Sequence, residues 1–280
     1  MVISAREVWS VTADDGCRIA YAIEGDPSAP VLMLSNSLGT NMNMWAPQVP
    51  AFIDAGFRVL RYDSRGHGAS DAPAGAYSMD RLGRDAVGLL DTLGIEKAYF
   101  CGLSKGGMVG QWLGYRAPER VHCVVLANTS AYMGPVSAWQ SRIETIRSSG
   151  MAAIADAVIL RWFTPEFIAS NPEWANTIRT QLLATDVEGY AGCCAAIRDM
   201  DLRPIRPLIT VPALVIGGSR DPAAPPEASE ALAATIPCND LLMLETAHLS
   251  NIELPPAFTE AVIGFLQSVR TKAKTDRIQG

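Results

Sequence analysis

The chain has 280 residues, 49% hydrophobic and 19% charged, which is enough apolar material to bury a large core and too much for a disordered or low-complexity protein. Lys plus Arg number 23 against 29 Asp plus Glu, and the net charge of −6 repels a phosphate backbone, so nucleic acid is not an expected partner. No apolar run approaches the roughly 18 residues of a membrane span, and residues 1–6 lack a basic stretch followed by an apolar core, so neither membrane insertion nor secretion is expected.

Short β-branched and apolar runs alternate with longer helical patterns, the signature of a mostly parallel sheet with helices on both faces. Eight strands are predicted, at Glu7–Thr12, Arg18–Glu24, Val31–Leu34, Arg58–Tyr62, Ala98–Cys101, Val121–Ala127, Ala213–Gly217 and Asp240–Leu244. The first two are joined by Asp14-Asp15-Gly16, a turn signal, and should form an antiparallel hairpin at one edge, with the rest parallel. Helices are predicted at Trp45–Ala55, Met79–Leu93, Ser104–Arg116, Pro226–Thr235 and Pro256–Val269, and a fraying tail over Thr271–Gly280. Between Gly134 and Pro207 strand-like runs stop, and helical pattern is broken by Ser-Ser-Gly, Thr-Pro, Asn-Pro and Arg-Pro punctuation. The organisation expected is a core over 1–133 and 208–280 with an inserted helical cap over 134–207.

The six cysteines (Cys17, Cys101, Cys123, Cys193, Cys194, Cys238) form no Cys-x-x-Cys pair, so they read as reduced thiols of a cytoplasmic protein. The three separated histidines offer no metal-ligand spacing, and Gly102–Gly107 lacks both the P-loop ending and the full dinucleotide fingerprint. No metal and no cofactor are expected.

Chemistry concentrates where Tyr99–Leu103 runs straight into a helical pattern through Gly102-Leu103-Ser104-Lys105-Gly106. A Gly-x-Ser-x-Gly at a strand-to-helix junction is a nucleophile elbow: a sharp turn presents Ser104 at the sheet edge, and flanking glycines admit neighbouring backbone that a Cβ would strike. A serine hydroxyl needs a base. His67 and His122 come too early for the Ser, acid, His order of this architecture, which leaves His248 after the last strand. The acid is expected after the preceding strand, where Gly217-Gly218-Ser219-Arg220-Asp221-Pro222 offers Asp221; Glu245, three residues before His248, has no comparable loop. One oxyanion donor should be the amide of Lys105, after the nucleophile, and the other the amide of Leu38 in Ser35-Asn36-Ser37-Leu38-Gly39-Thr40, with Ser37 as the fallback.

With these motifs in order the chain resembles an α/β-hydrolase, and more closely the 3-oxoadipate enol-lactonases of the β-ketoadipate pathway. The resemblance runs from about Val31 to about Phe265, through Leu60–Ser70 with its Arg65-Gly66-His67-Gly68, through Phe100–Ser104 and Met108–Leu113, and into the cap at Arg161–Pro165 and Gly189–Asp201. Cap motifs follow the substrate more closely than the elbow does. The resemblance implies cofactor-free hydrolysis of a small, carboxylate-bearing enol-lactone through an acyl-enzyme on Ser104. The same triad would serve a carboxylesterase, an amidase or a cofactor-free perhydrolase, and a ligand receptor can keep this fold without turnover. Association into a homo-oligomer is left open. Trp139, Arg142, Arg161 and Trp162 are the candidate substrate-binding residues of the cap, against the plain alternatives of packed tryptophans and solvated arginines. One position departs from the family, which usually carries Met after the nucleophile where this chain has Lys105. Its ammonium should either reach water or a carboxylate, or face the pocket and hold a substrate carboxylate.

Overall fold

The computed structural model describes residues 7–279, with side chains through residue 272. The stretch read for a leader, 1–6, and the final residue of the predicted tail lie outside the described residues. Eight strands form one sheet: β1 (Trp9–Thr12), β2 (Arg18–Glu24), β3 (Val31–Ser35), β4 (Arg58–Tyr62), β5 (Ala98–Leu103), β6 (Val121–Ala127), β7 (Ala213–Gly218) and β8 (Asn239–Leu244), in the order β1-β2-β4-β3-β5-β6-β7-β8. The β1–β2 hairpin is antiparallel, β2 also pairs antiparallel with β4, and β3 to β8 run parallel. The central strands β3, β5 and β7 are buried at every residue, as a parallel sheet covered on both faces requires, while β1 and β8 keep exposed positions at the edges.

The covering helices of the core are α1 (Val49–Asp54), α2 (Met79–Thr92) and α3 (Lys105–Arg116), with α9 (Pro226–Ala233), α10 (Ser250–Glu253) and α11 (Pro255–Gln279) after the cap; α2 packs on α3, and α1 on α11. Between β6 and β7 lie the five cap helices, α4 (Val136–Ser149), α5 (Ala152–Trp162), α6 (Pro165–Ser170), α7 (Pro172–Leu183) and α8 (Val187–Asp199). Among them α4 packs on α8 and α5, and α5 on α7.

Several boundaries differ from the sequence reading. The first strand begins at Trp9, not Glu7. The single helix expected over Trp45–Ala55 is a 3₁₀ turn, Met42–Trp45, followed by the short α1, because Pro47 and Pro50 each lack the N–H a continuous ladder needs. Ser104 stands just outside α3, as its cap. The last helix continues past Val269 to Gln279, since 270–279 holds neither Gly nor Pro to stop it.

The cap and core touch backbone to backbone, most closely for the glycines at Gly66 and Gly189. A Cβ built on Gly66 would sit 2.4 Å from Cα of Gly189, at the start of α8, so both positions require glycine.

Candidate active site

Strand β5 delivers Ser104 to the C-terminal edge of the sheet with φ 57° and ψ −115°, a conformation that costs a non-glycine residue about 1–3 kcal/mol. Two hydrogen bonds hold the bend: the Ser104 N–H donates to the Ala127 carbonyl at 2.8 Å, and Thr129 Oγ1 donates to the Ser104 carbonyl at 2.7 Å. A Cβ on Gly102 would meet the Gly106 carbonyl oxygen at 2.1 Å, and one on Gly106 the Ser35 carbonyl oxygen at 2.2 Å. Both flanking glycines therefore face backbone, as the motif requires.

His248 and Asp221, 27 residues apart, meet in the loops after β8 and β7, with Nδ1 2.8 Å from Oδ2 and both side chains buried. Asp221 is held from several sides. Its Oδ1 accepts the Ala223 and Ala224 amides at 2.8 and 2.9 Å, and Oδ2 also accepts from Asn128 Nδ2 at 3.1 Å. Burial pushes its carboxyl up, but the neighbouring His248, then the Ala224 amide and Asn128, outweigh that and hold it below the usual carboxylate value. With Nδ1–H donated to Asp221, the Nε2 lone pair is left for the cavity that His248 lines together with Ser104.

The loop after β3 is pinned almost throughout. Asn36 Nδ2 donates to the Tyr62 carbonyl and its Oδ1 accepts from Trp45 Nε1, Thr40 Oγ1 donates to the Ser37 carbonyl, and the Gly39 N–H donates to His67 Nε2. The Leu38 amide between them has no acceptor among the described residues, and neither has that of Lys105 in the first turn of α3, where helix amides are free by construction. Ser37, the fallback donor, spends its N–H on Met44 Sδ at 3.4 Å.

The Lys105 side chain overturns both expectations for it. It is 1% exposed, does not line the cavity, and its Nζ has no hydrogen-bond partner among the described residues. The ammonium thus neither reaches water or a carboxylate nor faces substrate: the stem runs into the core behind the elbow, and burial pushes its pKa below the usual lysine value.

The cavity at Ser104 measures about 40 Å³ and is lined by Leu38, Trp139, Arg142, Arg161, Trp162 and His248, among others. All four cap residues singled out in the sequence are therefore brought to it. Arg142 lies over the Trp139 ring, 4.9 Å from its centroid, and Trp139 Nε1 donates to the Met133 carbonyl. Burial and the like charge of Arg142 lower the pKa of Arg161, which still keeps part of its surface in water. Neither guanidinium is paired with a carboxylate among the described residues. Trp139, Arg142 and Arg161 also line an outer groove of about 500 Å³, so the two spaces adjoin.

Three contributors escaped the sequence reading. Asn128, at the end of β6, bonds Asp221, the Ala247 carbonyl and Ser250. Glu253 accepts from the Ala247 amide and from both the amide and hydroxyl of Thr164. His67, set aside as a base, accepts the Gly39 amide and so holds the loop after β3. Only Asn128 carried a signal, a polar residue ending a buried strand at the catalytic edge. His122, the other histidine, lies against Tyr99 with ring centroids 4.6 Å apart and the planes tilted by 33°, and it does not line the cavity.

The family model for the alpha/beta hydrolase fold matches residues 30–255. The chain belongs to that family. Among curated relatives, this α/β-hydrolase is 44% identical over 253 residues to 3-oxoadipate enol-lactonase 2 of Acinetobacter baylyi, covering 90% of this chain and 94% of the relative. Among solved structures, it superposes on the enol-lactonase from Burkholderia xenovorans LB400 with TM-score 0.91 and 46% identity, covering 92% of this chain and 100% of the other. A hydrolase from Pseudomonas aeruginosa PA01 also gives TM-score 0.91, at 43% identity, covering 94% and 99%.

Proposed function

We propose that this α/β-hydrolase opens a small, carboxylate-bearing lactone of the 3-oxoadipate enol-lactone type, through an acyl-enzyme on Ser104. The observation that carries the reading is the pair of guanidiniums, Arg142 and Arg161, left without carboxylate partners at the cavity of Ser104 and His248. Two cations without a carboxylate partner among the described residues, beside a nucleophile, favour an anionic substrate, whose carboxylate can supply the missing ion pair. The enol-lactonase relatives agree with that chemistry.

In this mechanism His248 Nε2 takes the Ser104 proton while Asp221 holds the Nδ1–H and stabilises the imidazolium. Ser104 Oγ attacks the lactone carbonyl, and the developing oxyanion receives the Leu38 and Lys105 amides at the positive end of α3. The ring C–O bond then breaks, the enol oxygen takes the proton from His248, and the ring-opened acyl chain remains on Ser104. Water, deprotonated by the same imidazole, attacks the ester and releases the dicarboxylate. Enolates are good leaving groups, so protonation of the leaving oxygen is the lighter half of the cycle.

The test is incubation with a panel of enol-lactones, aryl esters and amides, following turnover and the mass of Ser104. Fastest turnover of the carboxylate-bearing enol-lactone, with an adduct on Ser104 that vanishes in Ser104→Ala, supports the proposal. Faster turnover of neutral esters or amides moves the assignment to a carboxylesterase or amidase. An enzyme that resists fluorophosphonate labelling at Ser104 removes the acyl-enzyme altogether.

A further inference from the structure

Leu38 can serve the oxyanion only if the loop carrying it is held so that its N–H faces the cavity. The next residue, Gly39, has φ +78°, and its N–H turns to His67 Nε2 at 2.8 Å. An acceptor nitrogen is an unprotonated one, so His67 carries its hydrogen on Nδ1, which lies 3.2 Å from the Arg65 carbonyl oxygen. We propose that His67 is the positioning residue of the oxyanion hole: as a neutral imidazole accepting from Gly39, it aims the Leu38 N–H at the reacting carbonyl. This inference rests on the acyl-enzyme reading above.

The surroundings leave the ring little freedom to do anything else. His67 is 1% exposed; the Tyr190 ring lies 6.4 Å away centroid to centroid, Cys193 Sγ is 4.0 Å from Nδ1, and the preceding Gly66 is pressed against Gly189. The imidazole is thus wedged between the cap helix α8 and the oxyanion loop. Protonation would remove the only acceptor of the Gly39 amide among the described residues. Burial, with the Lys105 side chain nearby, favours the neutral ring. Gly39 is also tied on its other side, where Thr185 Oγ1 donates to its carbonyl at 3.5 Å, but that contact is long and leaves the direction of the amide to His67.

The experiment compares His67→Leu, which has no acceptor, with His67→Gln, whose Oε1 can stand near the place of Nε2. Steady-state kinetics on the enol-lactone are read together with two inhibitors, a boronic acid that forms a tetrahedral adduct on Ser104 and adipate as a ground-state dicarboxylate. Losing an oxyanion donor costs about a hundredfold to a thousandfold in kcat, and misaiming one less. The expected result for His67→Leu is a fall in kcat of about thirtyfold or more, matched by the boronate affinity, with KM and adipate affinity within about threefold. His67→Gln should recover most of the loss. Equal defects in both variants, or parallel losses for boronate and adipate, would make His67 a packing residue and overturn the proposal. Should His67→Leu not fold, nitrogen NMR of the unmodified enzyme decides: an unprotonated Nε2 coupled to the Gly39 amide is expected, and a proton on Nε2 refutes it. Failure of fluorophosphonate to label Ser104 in the wild type would instead strike the acyl-enzyme reading, independently of these outcomes.

Discussion

The carbonyl oxygen of Trp162, at the end of cap helix α5, accepts the backbone N–H of His248 at 3.1 Å and that of Leu249 at 3.0 Å. The loop carrying the proposed base is thus hung from the cap, and Glu253 completes the junction by receiving the Ala247 amide on one side and Thr164 on the other. Glu253→Ala would leave two buried amides and a hydroxyl without an acceptor, so a loss of about 1–3 kcal/mol is expected, read by urea unfolding. Turnover should fall with it because the imidazole is no longer held, by about tenfold if misplacement reaches a fraction of an ångström. Thr164→Ser, which keeps the hydroxyl, should stay near wild type in both measurements.

Asp221→Asn keeps the shape of the acid but presents a donor where His248 needs an acceptor. The ring is then held in the wrong tautomer, and kcat should drop by about ten-thousandfold with little change in KM. Asn128→Ala removes one of several groups on Asp221 and should cost far less, about tenfold. Comparable losses in the two variants would mean that Asp221 acts by holding the loop together and not through the imidazole.

Lys105→Met is expected to stabilise the protein. It exchanges a buried amine with no hydrogen-bond partner among the described residues for an apolar side chain of similar length, a gain of about 1–3 kcal/mol at neutral pH. The pH dependence follows from the depressed pKa. Between the lowered value of the native protein and the ordinary 10.5 of the unfolded chain, the unfolded state holds a proton that the folded state does not, so wild-type stability rises with pH across that window. The advantage of the methionine variant should therefore shrink as pH climbs toward 10.5. Urea midpoints at several pH values check this, and kcat/KM should change by less than about threefold, because the Lys105 side chain is buried away from the cavity and only its amide enters the proposed mechanism.

Arg142→Ala and Arg161→Ala should each lower kcat/KM about tenfold to a hundredfold on carboxylate-bearing lactones, the worth of a charge-assisted hydrogen bond, and leave neutral aryl esters within about threefold. Paired kinetics on an anionic and a neutral substrate, at low and high salt, measure the difference. Equal losses on both classes would take the arginines out of substrate recognition.

How much of this was legible in the sequence follows the range of the interactions. The inner parallel strands announced themselves as short apolar runs, because β3, β5 and β7 are covered on both faces, and the elbow is a local motif whose glycines answer to backbone only a few residues or one strand away. Asp221 and His248 could be placed because strand order carries the loops after β7 and β8 to the same edge. Asn128, Glu253 and His67 act through contacts 93, 89 and 28 residues away in the chain, and no local pattern records such partners. Lys105 misled in a different way: its residue type suggested a charge in contact with something, whereas the fold placed the stem in the core with no hydrogen-bond partner for its amine among the described residues. The split before α1 was there to be read in Pro47 and Pro50, whose missing N–H groups interrupt a continuous helical ladder.

The backbone contact of Gly66 with Gly189 has a further consequence for traffic into the enzyme. With one end of the roof welded to the core there, and the other slung from the histidine loop through Trp162, a wholesale swing of the five helices would break both seams at once. Trp139 and Arg142 line both the inner chamber and the outer groove, which makes them the side chains at the doorway between the two. On the proposed reading, the group that greets a carboxylate-bearing substrate is the same one that must step aside for it, so selection by charge would begin at the threshold.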